Sequence, residues 1–256
     1  MKPTSIIFIV LVAIRSMAAL PTTTVDCFNP TSAEREQCET VYRFWKEDGK
    51  GTIEEAEYCA GICFYHGNET EINIPVALDF FKSSAAKGNA DAQYMLAAIY
   101  LRGKDVPKAP EKVTLWLKAA AEQGHPKAQL YYGFCYFIGY GLEKNERTGA
   151  EWLRKAAEQG LVEAQRRLGI YLQSGDGIEK DEAEAAKWFR KAAEQNSADA
   201  QYRLGACYVN GMGVERNREE ALKWIRRSAE QGDELAIEGL KAIEASLNTS
   251  SPSAAQ

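Results

Sequence analysis

Only two of the 256 residues are histidine, eight are proline and four are methionine, and this scarcity sets the first limits on the chain. His66 and His125 stand far apart, and no metal-spaced cysteine–histidine cluster, zinc-protease motif, phosphate-cradling glycine loop or nucleophile elbow accompanies them. Catalytic residues, metal ligands and cofactor sites are therefore expected to be none. Ser84-Ala85-Ala86-Lys87 has the form S-x-x-K, but its companion motifs are missing and chance explains it better than a serine hydrolase. A large excess of one charge is also lacking: 31 basic and 36 acidic residues leave −5. Such a balance offers no long-range attraction to nucleic acid or anionic lipid. The apolar run from Ile6 to Ile14 is too short for a helix spanning ~30 Å of hydrocarbon.

That run has another meaning. Lys2 precedes it and the small residues Ser16 and Ala18 follow, which is the arrangement of a secretory signal cleaved after Ala18. Residues 1–18 are accordingly expected as signal peptide, 19–52 as an N-terminal arm with a capping helix, 53–246 as repeats and 247–256 as an unstructured tail. The expected location is outside the cell or in the secretory lumen or periplasm, without membrane insertion, and as a monomer. Loss of Lys2 and Arg15 would move the charge from −5 to −7. Asn68 and Asn248 head glycosylation sequons that matter only in a eukaryotic secretory pathway.

What the chain has in abundance is self-similarity. Ala56, Ala92, Ala128, Ala164, Ala200 and Ala236 recur every 36 residues. Phe80, Trp116, Trp152, Trp188 and Trp224 share a second position, and Gly67, Gly103, Gly139, Gly175 and Gly211 a third. In the window from Ala198 to Asp233, Ala200, Leu204, Gly205 and Tyr208 share one helical face, and Gly211 and Gly213 break the helix. A second helix runs through Ala221, Trp224, Ile225 and Ala229 to Gly232. Each repeat is thus an antiparallel pair, A and B. Asn196 stands where other copies end helix B with glycine, as the next residue to tolerate a left-handed backbone. After Asp233 only an A pattern remains, which reads as a terminal cap.

The recurring A-Q-x-x-L-G-x-x-Y-x-x-G-x-G-V and A-x-x-W-x-x-K-A-A-E-Q-G resemble the Sel1-like repeat, a relative of the tetratricopeptide repeat, from about Glu54 to Glu244. The resemblance implies an all-α fold: a right-handed α/α superhelical solenoid of about five helix-turn-helix repeats. It also implies adaptor or scaffold work, with a protein or peptide partner in the concave groove. The alternative is a β-lactam-binding or hydrolysing enzyme of the cysteine-rich repeat type. In those relatives the cysteines bridge the helices within each repeat, a pattern this chain does not follow.

Cys27, Cys38, Cys59 and Cys63 allow three pairings in an oxidising compartment. If Ala33 to Lys46 forms a B-type helix, reflection about the Gly49–Thr52 turn favours Cys38 with Cys63 and Cys27 with Cys59. These would staple the N-terminal cap at roughly 2–4 kcal/mol each. Cys135 and Cys207 sit two repeats apart, too far to bridge, and are expected as buried thiols. Lys46 to Glu57 resembles a calcium loop, but Lys46 and Lys50 occupy ligand positions, so a capping box of Thr52 and Glu55 is the better reading.

Two surface features remain. Lys82, Lys118, Arg154, Arg190 and Arg226 form a ladder, with Glu122, Glu158, Glu194 and Glu230 four residues on from the last four, which reads as a solvated salt-bridge ridge. On the A helices the copies differ: Tyr94, Leu130, Tyr131, Phe134 and Ile138 are apolar, and Arg166, Arg167 and Arg203 follow them. These residues are the candidate groove. An apolar patch rimmed by arginine suits a binding hot spot, while packing between A helices accounts equally well for the apolar members.

Overall fold

Two apolar faces per 36-residue copy can be buried only if the copy folds back on itself, and the structure follows that logic. The computed structural model describes residues 53–67 and 71–248, together with Glu36. The expected signal segment, Cys27, Cys38, the expected capping helix apart from Glu36, Thr52 and Asn68 lie outside the described residues. Among the described residues the elements are α1 (Ile53–His66), α2 (Ile74–Ala86), α3 (Ala90–Arg102), α4 (Pro110–Glu122), α5 (Pro126–Ile138), α6 (Glu146–Glu158), α7 (Val162–Ser174), α8 (Glu182–Glu194), α9 (Ala198–Asn210), α10 (Arg218–Glu230) and α11 (Glu234–Asn248). Odd-numbered helices are the A type and even-numbered ones the B type. No strand occurs among the described residues.

The helix starts explain the anchoring alanine. Asn89, Ser197 and Asp233 accept a hydrogen bond from the N–H of Ala92, Ala200 and Ala236, and His125 does so for Ala128 through Nδ1 at 3.1 Å. Each side chain satisfies an N–H that the helix cannot. Asn196 has φ +67°, the only positive value outside glycine among the described residues, as its position demands. In the second copy Asp105 replaces the second loop glycine and accepts from the Tyr65 hydroxyl at 2.9 Å, which in turn accepts from Arg102 Nη1 at 2.8 Å.

The described chain divides into two compact units, one ending at Ala156 and one beginning at Ala157. In the first, Ile62, Phe81, Leu96, Val113, Leu117 and Leu153 are fully buried, each such side chain contributing about 1.5–3 kcal/mol. In the second, Leu168, Leu172, Phe189 and Leu204 fill the same role. Close approach of A to B depends on a missing side chain: a Cβ at Gly169 would lie 2.6 Å from Phe189, and one at Gly205 2.5 Å from Ile225. The loop glycine Gly213 is constrained twice over, by φ +68° and by the Glu182 carbonyl 1.9 Å from where a Cβ would stand.

Trp188 and Trp224 are buried and donate their indole N–H to Glu184 at 3.1 Å and Glu220 at 3.0 Å. In the first copy Phe80 stacks on Phe64 instead, at 5.7 Å between ring centroids. The A-type helix after Asp233 is present as α11, where Ala236 joins a cluster with Tyr202 and Ile225. Helix α11 continues to Asn248, beyond the expected start of the tail, and residues 249–256 lie outside the described residues.

Candidate partner-binding face

Before any surface can be assigned to a partner, the polar residues that hold the repeats together must be set aside. The glutamine after each anchoring alanine is the chief of these, and the sequence reading passed over its role. Gln93, Gln129, Gln165 and Gln201 are buried, and each donates from Nε2 to a carbonyl near the end of the preceding B helix: Ala85 at 3.1 Å, Ala121 at 3.2 Å, Ala157 at 3.2 Å and Ala193 at 3.1 Å. The amide oxygen of Gln93 accepts from Gln123 at 2.8 Å, that of Gln165 from Gln195 at 2.8 Å, and that of Gln201 from Gln231 at 2.7 Å. One side chain therefore ties three successive helices. In the first copy Glu57 and Lys87 occupy the two glutamine positions, and an ion pair replaces the amide contact.

The apolar candidates are mostly interior. Tyr94, Leu130, Tyr131 and Phe134 are 5%, 3%, 6% and 7% exposed, whereas Ile138 is 45% exposed. Their rings pack on one another in the first unit: His125 stacks on Tyr94 at 4.7 Å, and Tyr131 meets Tyr94 at 6.2 Å and Phe134 at 6.0 Å. Of the two readings open at the sequence level, packing holds for these four side chains, because burial leaves no apolar patch for them to present. Ile138 alone stands open.

The arginine candidates lie in the second unit and form a network. Arg166 takes both oxygens of Glu163 at 2.6 and 2.7 Å through Nη2 and reaches Asp199 on α9 at 3.0 Å. Arg167 shares Glu163 at 2.7 Å, and Arg203 shares Asp199 at 2.8 Å. Burial opposes the ionisation of Glu163 and Asp199, but the guanidinium groups outweigh it and hold both carboxyls below their usual range. For Arg166, burial is likewise outweighed by Glu163 and Asp199, which raise its pKa. The network joins α7 to α9.

Groups with nucleophilic potential are otherwise engaged. Ser84 donates its hydroxyl to the Glu54 carbonyl, as Ser228 does to Ala198 at 2.7 Å, so this serine ties helix B to helix A. Lys87 is the partner of Glu57. Cys135 and Cys207 are buried thiols, as expected, and burial pushes both up to about 12. Cys59 and Cys63 are buried on α1, while their expected partners Cys27 and Cys38 lie outside the described residues. His66 ends α1 and His125 caps α5, donating from Nε2 to Asp91 at 3.2 Å. In the basic ladder Lys118 meets Glu122 at 3.8 Å as expected, Lys82, which has no glutamate four residues on, pairs with Asp79 at 3.3 Å, and Arg190 donates to the Tyr208 hydroxyl. No group of three or more metal-ligating side chains is found among the described residues, and no helix among them is long and apolar enough to cross a membrane.

Tandem A/B hairpins tied by glutamine, followed by one A-type helix, define an all-α repeat protein of the solenoid class. The Sel1 repeat model matches residues 55–89, 90–125, 126–161, 162–197 and 198–233, and the chain belongs to the Sel1 repeat family. Proteins of this family generally mediate protein–protein interaction and are typically non-enzymatic scaffolds. No curated protein matches the chain by sequence. Among solved structures, it is similar to a protective antigen of uropathogenic Escherichia coli displaying an SLR fold, with 31% identity and a TM-score of 0.74. The match covers 86% of this chain and 46% of that one, so the chain spans about half the antigen's length. A Sel1 repeat protein from Oxalobacter formigenes is 26% identical with a TM-score of 0.73, over 83% of this chain and 90% of its own.

Proposed function

We propose that this protein is a secreted interaction scaffold that binds a protein or peptide partner on its A-helix face and positions it without chemistry of its own. The supporting observation is a division of labour along each A helix. The anchoring alanine and the following glutamine recur from α3 to α9 because they are buried in packing and hydrogen bonding. Two and three steps further on the copies diverge: Tyr94-Met95, Leu130-Tyr131, Arg166-Arg167 and Tyr202-Arg203. The aromatic and aliphatic members of these pairs are buried, so the part of that divergence a partner can meet is the partly exposed arginines Arg166, Arg167 and Arg203, which differ from the other copies while the frame stays the same. Secretion rests on the signal-like residues 1–18, and disulfide pairing of Cys38 with Cys63 and Cys27 with Cys59 goes with it.

The test is affinity capture with the tagged chain from its native compartment, beside the triple variant R166Q/R167Q/R203Q. A protein retained by the parent and lost from a folded variant supports the reading. Retention of nothing, or turnover of nitrocefin by the purified chain, would overturn it in favour of the β-lactam alternative.

A further inference from the structure

Of the four side chains seen to cap A helices, Asn89, His125, Ser197 and Asp233, only the imidazole changes charge in mildly acidic solution. Its two nitrogens are committed to different helices. Nδ1 accepts the N–H of Ala128 on α5 at 3.1 Å, and a nitrogen that accepts carries no proton. Nε2, 3.2 Å from Asp91 on α3, therefore carries the one proton of the neutral ring and donates it. A second proton can enter only at Nδ1, where it ends the bond to Ala128.

The surroundings decide which helix keeps the ring. Asp91 and the Tyr94 ring face the imidazole from α3, and Lys127 stands beside it at the start of α5. The hydrogen bond from His125 holds the Asp91 carboxyl below its usual range although burial opposes this, and the charges of His125 and Lys127 add to the effect. Asp91 is thus still ionised when the imidazole gains its proton, and their contact becomes an ion pair. Tyr94, stacked at 4.7 Å, offers a ring face to the new cation. Both contacts keep the imidazole on α3, so the loss falls on α5. Ala128 is fully buried, and its N–H, in the first turn, has no acceptor within the helix.

We propose that the start of α5 is a pH-sensitive joint, in which protonation of His125 tightens its hold on α3 and releases the first turn of α5. Pro126, whose ring fixes φ, and the bond from the Gln129 N–H to the His125 carbonyl at 3.1 Å or less keep the helix itself in place. The change is therefore local, and it sits at the edge of the packing among Tyr94, Tyr131 and Phe134.

The experiment is a pH titration of the full chain followed by NMR. It reads the imidazole signals together with amide exchange at Ala128 and Gln129, corrected for the intrinsic rate at each pH. The chain holds two histidines, so His66 serves as an internal reference. Protection of the Ala128 amide should fall roughly fivefold or more as His125 gains its proton, with the same midpoint, while Gln129 stays protected. H125N, which keeps an acceptor of the kind found at Asn89, should abolish the transition at Ala128. H125S, matching Ser197, carries the same test if the first variant loses its fold. An Ala128 amide indifferent to the His125 titration, or one that responds equally in a folded H125N or H125S chain, would overturn the proposal.

Discussion

At the scale of single residues, the glutamine that ties three helices should weigh more than its polarity suggests. Gln201 is 2% exposed, donates to Ala193 and accepts from Gln231. Gln201→Met fills nearly the same volume but leaves a buried carbonyl and an amide unanswered, at a cost of about 1–3 kcal/mol. Gln231→Ala, on the exposed side of the same contact, should cost distinctly less. Urea unfolding of the two variants gives the comparison, and equal losses would deny the clamp its role. The thiols offer a second check. Cys135 and Cys207, pushed up to about 12 by burial, should resist a disulfide reagent at mildly alkaline pH in the folded chain and react once it is unfolded. The burial of the thiols follows from their place in the repeat, whereas the clamp does not show in the letters alone: a recurrent Gln reads as a polar helix residue until its partners, thirty positions away and in the preceding helix, are seen. The apolar look of Phe134 was ambiguous for the related reason that periodicity cannot tell a groove from the space between stacked helices.

Helices are held by contacts that the repeat pattern did announce. Small residues recurring five steps after the anchoring alanine imply backbones in close approach, and Gly169 stands where a Cβ would meet Phe189 at 2.6 Å. Since Phe189 is fully buried and has nowhere to turn, Gly169→Ala should destabilise the α7–α8 pair by about 1–3 kcal/mol despite the better helix propensity of alanine. A raised melting temperature in that variant would contradict the packing described here. Between α7 and α9 the link is ionic and responds to acid. Glu163 and Asp199 titrate below their usual range in the folded chain, so the unfolded chain binds protons first as pH falls. Their stabilisation is therefore complete at neutral pH and is lost as pH drops through the depressed folded-state values. The double variant E163Q/D199N should be less stable than the parent at neutrality and show a flatter decline from about pH 7 to about pH 3. An unchanged slope would mean that the arginines add nothing to α7–α9 contact.

For the whole molecule, a chain whose repeats lean only on their neighbours has ends that matter, because stability is the sum of units and the interfaces between them. The fold was legible from periodicity for this reason: every copy faces the same burial problem and solves it with the same residues. The partner was not, since recognition lies where the copies differ and obeys no period. In the second unit α11 covers what would otherwise be an open end. Tyr202 and Ile225 are buried with Ala236, and Leu240 packs against them. Ending the chain at Asp233 removes that cover and uncovers two large side chains of α9 and α10, each contributing about 1.5–3 kcal/mol when buried. Amide exchange should then rise first in α9 and α10 and spread toward α7, following the nearest-neighbour order of the array. Uniform acceleration through all helices at once would show that the unit unfolds as a single body, and that α11 is no more important to its neighbours than to distant repeats.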